Sequence, residues 1–231
     1  MNAGEGVDGI VNLDKPAGIS SAAAVTRVKR LLPRGTKIGH AGTLDPFATG
    51  VLVLLIGKAT RLAERFMAEK KQYDATIKLG AITDTLDPES PEFPTTGATA
   101  ANRDQVAAAV GRFVGEIQQV PPAYSALKIE GRPAYKLARR GEDVELKARP
   151  VRVYSIELLD YAWPLLRLRV ECGRGTYIRS LARDIGSALG VGGYVTALRR
   201  TRVGPLGAVD AVSLETLAGE GVQRHLLPPP T

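Results

Sequence analysis

The sequence predicts a single-domain fold that mixes strands and helices and is not a doubly wound parallel sheet, and two observations carry that prediction. Strand-like and helix-like patterns both occur, and they follow one another without the regular strand–helix–strand repetition of a doubly wound parallel sheet. The chain has 231 residues, 44% of them hydrophobic, so it can bury a sizeable core. No internal repeat and no linker-like stretch divides it, so a single domain over residues 1–231 is expected.

GIVNL (9–13) reads as a strand. From Ser21, the spacing of Val25, Val28, Leu31 and Leu32 gives one apolar helical face, stopped near Pro33 and Gly35. VLVLLIG (51–57) is short, apolar and bounded by glycines, as a buried strand would be. Ala59 to Glu69 reads as helix, and Tyr73 to Leu79 alternates like a strand. Residues 84–101 are rich in Pro, Thr, Asp and Glu and predict a mobile surface loop. Asn102 can cap a helix to about Phe113, with Val106, Val110 and Phe113 on one side. Pro121 and Pro122 break the chain. Val151 to Cys172 reads as two strands joined around Tyr161 to Pro164, Thr176 to about Leu189 as a helix, and Tyr194 to Val203 as a strand. Ser213 caps a last short helix.

Composition narrows the function classes. One cysteine, Cys172, excludes an intrachain disulfide framework and any all-cysteine metal site. It is expected to be a small buried residue, which fits a reducing compartment. His40 and His225, the two histidines, leave little for a metal cluster. No apolar run reaches the ~18 residues of a membrane span, and the N-terminus MNAGEGVDG lacks a basic region followed by an apolar one. A cytoplasmic, soluble protein with no membrane association is expected. The net charge is +7, with 31 Lys and Arg against 24 Asp and Glu. Between Tyr135 and Val203 stand 14 basic and 7 acidic residues, leaving 17 of each elsewhere, so the whole excess lies in one segment. That bias is the footprint expected for a phosphate backbone, or else ordinary solvated charge.

The stretch GHAGTLDPFATG (39–50) concentrates the chemical signal. Glycines at 39, 42 and 50 can supply positive φ or close backbone approach, and Pro46 biases Asp45 towards an extended conformation. A carboxylate on a stiff loop, anchored by the apolar run that follows, is placed for presentation. The plain alternative is a turn or cap acid, the commonest use of an Asp-Pro pair.

This stretch resembles motif II of the TruB-type pseudouridine synthases, which convert uridine 55 in the T-loop of tRNA to pseudouridine. NLDKPAGISS (12–21) resembles the family's N-terminal KP motif, KKQYDATIKLGAITDTLD (70–87) its tyrosine-bearing segment and PPAYSALKIEGRPAYKLARRG (121–141) its thumb region. CGRGTYIRSLARDIGSALG (172–190) resembles its arginine-bearing motif, with LRRTRVG (198–204) following. The blocks stand in the family's order over roughly residues 8 to 205. The resemblance implies the α+β pseudouridine synthase fold, with a mixed, largely antiparallel central sheet, flanking helices and an active-site cleft. It also implies a thumb-like RNA-binding insertion at about 121–150. Many bacterial members continue into a C-terminal PUA-like domain; none is evident in this sequence.

The resemblance carries roles residue by residue. Asp45 matches the invariant aspartate, as nucleophile or as base. Arg179 matches the arginine that pairs with that aspartate, against the plain reading of an arginine on an exposed helix face. Tyr73 matches the tyrosine that stacks on the flipped base, where an aromatic face offsets lost stacking. Tyr177 and Leu198 match further pocket-lining positions, and all three would otherwise be read as core. His40 matches a histidine that contacts RNA near the flipped base. Lys15 and Pro16 match residues that brace the active-site loop. Lys128, Arg132, Lys136, Arg139 and Arg140, interleaved with Tyr124 and Tyr135, suit the gripping of RNA phosphates. The implied activity needs no cofactor or metal. The implied partner is the tRNA T-arm and T-loop, bound by a monomer without an obligatory protein partner.

Other readings stay open at this level. A non-catalytic RNA-binding protein on the same fold would keep the basic segment. A glycoside hydrolase would pair Asp45 with Asp84 or Asp87. Guide-dependent relatives act on ribosomal RNA, but a compact chain without extended tails favours the guide-independent bacterial type.

Overall fold

The computed structural model describes residues 7–125, 128–129, 132–133 and 146–229. Its strands are β1 (Gly9–Lys15), β2 (Ile38–His40), β3 (Thr49–Ile56), β4 (Lys71–Leu79), β5 (Ala81–Thr83), β6 (Glu92–Pro94) and β7 (Gly115–Gln119). They continue with β8 (Lys128–Ile129), β9 (Arg132–Pro133), β10 (Arg149–Ala162), β11 (Leu165–Cys172), β12 (Gly193–Val203) and β13 (Leu206–Gly207). The α-helices are α1 (Ser21–Lys29), α2 (Ala63–Ala68), α3 (Arg103–Gly111), α4 (Ile178–Ala188) and α5 (Leu214–Glu220). The chain forms two compact units, Met1–Gln72 with Arg199–Thr231, and Tyr73–Leu198. The boundaries fall inside β4 and β12, where no change of composition marks them. Among the described residues, no helix is long and apolar enough to cross a membrane.

The first unit is built around β3, buried from Gly50 onward because its apolar residues occupy both faces. One edge pairs antiparallel with β1, from Gly9 opposite Ile56 to Lys15 opposite Gly50. The other edge is shared. β2 runs antiparallel to it, His40 opposite Leu54, and the end of β12 runs parallel, Arg200 opposite Gly50. The chain therefore leaves this edge at His40 and returns to the sheet at Thr49, and residues 41–48 are the excursion between. Val51, Val53 and Leu55 pack with Ile10, Phe66 and Val203 in one cluster. At about 25 cal/mol per Å² of apolar surface, each such side chain contributes roughly 1.5–3 kcal/mol.

The second unit has the strand order β12–β4–β11–β10–β7, using the first part of β12. β10 pairs antiparallel with β11 and with β7. Asn102 closes a capping box on α3, its side chain accepting from Gln105 N at 2.9 Å while Gln105 Oε1 accepts from Asn102 N at 2.8 Å. Largely antiparallel ladders, a parallel pairing of β12 with β3 and separate helices make this the predicted α+β architecture.

Four details differ from the sequence reading. The buried face of α1 is Ser21, Ala24 and Val28, continued by Leu32, whereas Leu31 is exposed; small residues let the helix approach closely. The segment expected as one helix over 59–69 begins as a 3₁₀ turn, Gly57–Leu62, before α2. Residues 84–101 are not simply a surface loop. β6 lies in them, pairing with β5, and Asp87 is buried. The expected start of a helix at Thr176 moves to Ile178, with extended Tyr177 at the cap.

Candidate active site

In the first unit, Asp45 stands on the 41–48 excursion, half-buried. Backbone turns and side chains hold that loop from several directions. Ala48 N donates to Asp45 O at 3.2 Å, and Ala41 N extends the β-ladder to Val53 O at 3.0 Å. Ser21, at the first turn of α1, donates through Oγ to Leu44 O at 3.0 Å and accepts from Leu44 N at 2.8 Å. Lys15 is fully buried, and its Nζ donates to Pro16 O and Ile19 O at 2.8 Å each and to Pro46 O at 3.3 Å. Gly18 N donates to the same Pro46 oxygen at 2.9 Å. The KP segment and the Asp45 loop are thus joined at Leu44 and at Pro46, on either side of the acid.

Two of the three loop glycines are structurally required. Gly42 and Gly50 have φ of +101° and +99°, in the range where a side chain is strained. A Cβ on Gly50 would stand 2.2 Å from Arg200 O. Gly39 has neither property: its φ is not positive, and nothing lies within 4 Å of the Cβ position. The conformational argument therefore fails at Gly39, because its backbone is ordinary strand.

Arg200, which the sequence reading passed over, is 1% exposed. Its Nε donates to Val51 O at 2.7 Å, Nη2 to Gly42 O at 3.1 Å and Nη1 to Thr43 O at 3.4 Å. His40 is half-buried at the loop's entrance. Burial first, and the Arg200 cation second, push its imidazole below the usual 6.5, partly opposed by a Gly42 backbone hydrogen bond.

In the second unit, Arg179 is buried at the start of α4, which removes the exposed-face reading. Nη1 pairs with Asp87 Oδ2 at 2.9 Å and donates to Thr85 O at 2.8 Å; Nη2 donates to Tyr124 O at 2.8 Å. Asp87 Oδ1 accepts from Glu89 N at 3.0 Å and from the Thr85 hydroxyl. Leu86, immediately before it, has φ +60°, a strained conformation for a non-glycine residue. Sequence reasoning missed Asp87 as a partner of Arg179 because its Pro- and acid-rich surroundings read as surface. Asp84 is exposed and Asp87 is engaged by Arg179, so neither stands out as a second catalytic acid.

Tyr177 is half-buried at the α4 cap. Its backbone N–H and C=O are both bonded to the Gln119 amide, at 2.8 and 3.2 Å, and the Arg149 guanidinium lies 5.3 Å from its ring centre. Tyr73 is half-buried on β4 and Leu198 is buried on β12. Lys128 and Arg132 fall in β8 and β9; Lys136, Arg139, Arg140 and Tyr135 lie outside the described residues. Cys172 is buried on β11. Among the described residues, no group of three or more His, Cys, Asp or Glu is arranged to hold a metal ion.

Comparison with known proteins gives a consistent picture. The family model described as TruB family pseudouridylate synthase (N terminal domain) matches residues 29–178. That of the tRNA pseudouridylate synthase B C-terminal domain matches residues 179–227. The chain is 50% identical over 231 residues to the tRNA pseudouridine synthase B of Mycobacterium sp. strain KMS, covering 97% of this chain and 77% of that protein. It is 48% identical over 211 residues to the protein of the same name from Aromatoleum aromaticum, covering 91% and 68% respectively. Among solved structures, a chain of a Cbf5-Nop10-Gar1 complex superposes with a TM-score of 0.73 at 31% identity, covering 95% of this chain. This chain spans 60% of that one.

Proposed function

This chain belongs to the TruB pseudouridylate synthase family, and from that premise we propose that it is an enzyme isomerising uridine 55 in the T-loop of tRNA, with Asp45 as the essential carboxylate. The relatives' shared name, tRNA pseudouridine synthase B, supports the reaction and the tRNA substrate. The reaction breaks the bond from ribose C1′ to uracil N1 and joins C1′ to C5. N1 gains a proton and C5 loses one, so substrate and product are isomers and no oxidant, reductant or energy source is consumed.

The observation that carries the reading is the mounting of Asp45. Its loop is tied on both flanks by buried cations, Lys15 to Pro46 O and Arg200 to Gly42, Thr43 and Val51. Catalysis at C1′ asks for an ionised carboxylate held in one geometry, as nucleophile or base. A cap or turn acid needs no such mounting. Tyr73 stacks on the extruded base, Tyr177, Leu198 and Arg179 complete its binding, and His40 contacts RNA near that base. Lys15 and Pro16 brace the site. Lys128, Arg132, Lys136, Arg139 and Arg140 bind the RNA backbone. The enzyme works as a cytoplasmic monomer without an obligatory protein partner, unlike the Cbf5 chain in its complex with Nop10 and Gar1.

The test is nucleotide-resolved mapping of pseudouridine in an unmodified tRNA transcript treated with the intact chain or with Asp45→Asn. Product at position 55 from the intact chain alone is expected. Tight binding without product from the intact chain would replace this reading with that of an RNA-binding protein.

A further inference from the structure

We propose that Arg200 is a positioning residue for catalysis, closing the base of the Asp45 loop so that the carboxylate is held in its reactive geometry. The inference rests on the reading of Asp45 given above. Three features of the first unit support it. The guanidinium reaches Gly42 and Thr43 on the N-terminal side of Asp45 and Val51 on the C-terminal side, so one planar group spans the eight residues 43–50. The main chain does the same beneath it: Arg200 faces Gly50 in the parallel ladder, so closely that no Cβ fits between them. Gly42, at φ +101°, belongs to the same arrangement; with a 3.7 Å contact between its Cβ position and Nη1, the turn and the guanidinium pack directly together.

The choice of residue is informative. Burying a guanidinium to 1% exposure is costly unless its donors are satisfied. Apolar packing would stabilise the sheet without that cost. What only arginine supplies is a rigid fork with several donors at fixed angles, able to bond carbonyls on both ends of a loop at once. Lysine carries the charge on a flexible stem with one nitrogen and cannot span the same acceptors. Loss of the fork thus loosens Asp45 without removing the positive charge. Misplacement on the order of 1 Å at a reacting group can cost about a hundredfold in rate, whereas the surfaces that hold tRNA are left intact.

The experiment compares intact chain and Arg200→Lys in single-turnover and steady-state pseudouridine formation, at a temperature where circular dichroism shows both folded. The expected result is a fall in kcat of about ten- to a hundredfold, with KM and tRNA binding changed less than about threefold. Exogenous methylguanidinium should partly restore the rate of an Arg200→Ala variant, a recovery that a purely structural role does not predict. A folded Arg200→Lys enzyme with a kcat within about threefold of the parent overturns the inference. Should neither variant fold, hydrogen exchange on the intact protein decides. Amides of Leu44 and Ala48 protected as well as those of β3 support a held loop; exchange near the unstructured rate refutes it. An intact chain that makes no pseudouridine at all instead defeats the functional reading on which the inference rests.

Discussion

The Arg179–Asp87 pair sets up a sharp stability prediction. Both side chains are almost fully buried, 4% and 3% exposed, at 2.9 Å. Removing the Asp87 carboxylate takes a charge-assisted acceptor from Arg179 Nη1, at a cost of about 1.5–3 kcal/mol. Asp87→Ala does this, and it also takes the acceptor from Glu89 N and from the Thr85 hydroxyl. Asp87→Asn keeps an acceptor at Oδ1 and loses only the charge-assisted bond to Arg179, for which about 1.5–3 kcal/mol is appropriate. The alanine variant should therefore be less stable than the asparagine variant by roughly 1–2 kcal/mol. Against a total stability on the order of 5–15 kcal/mol, either loss is visible in equilibrium urea unfolding as a lower midpoint with an unchanged slope. Parent-like midpoints for both variants, within about 0.5 kcal/mol, would refute the assignment of Asp87 as a buried partner of Arg179.

Two further predictions concern the first unit. Gly50→Ala combines positive φ with a 2.2 Å approach to Arg200 O and should destabilise by about 2–5 kcal/mol. Gly39→Ala meets nothing and should stay within about 0.5 kcal/mol of the parent; equal melting temperatures for the two variants would contradict the geometry. His40 titrates below the usual 6.5, so between the two values the unfolded chain binds more protons than the folded one. Its contribution to stability is then complete above about pH 6.5 and is lost as pH falls towards the lowered value. Replacing His40 by Gln should flatten the urea midpoint against pH in that window, and an unaltered slope would count against the burial argument.

Local pattern made most of the framework legible. β3 could be read because VLVLLIG (51–57) is an unbroken apolar run ended by glycine, and α3 because Asn102 can cap a helix with Val106 and Val110 on one face. The Asp45 loop was legible as a motif of glycines, an acid and a proline. Its supports were less so. Lys15 could be named only through resemblance, and Arg200 and Asp87 carried no local sign of burial at all, being charged residues among charged neighbours. β2 and β7 were missed because three and five residues, partly polar, give too short a period to detect.

The sequence by itself determined a mixture of strands and helices without doubly wound repetition, the order of the principal strands and helices, and the acid on a constrained loop. These depend on side-chain periodicity, capping chemistry and glycine or proline geometry, which act over a few residues. The tertiary structure decided which polar groups are buried and what satisfies them. Arg200 reaches a loop some 150 residues earlier, bonding Val51 across a separation of 149 and Gly42 across 158, and Arg179 reaches Asp87 across 92. A buried charge must be satisfied by whatever the fold brings within about 3 Å, and no local pattern in the chain records which partner that is.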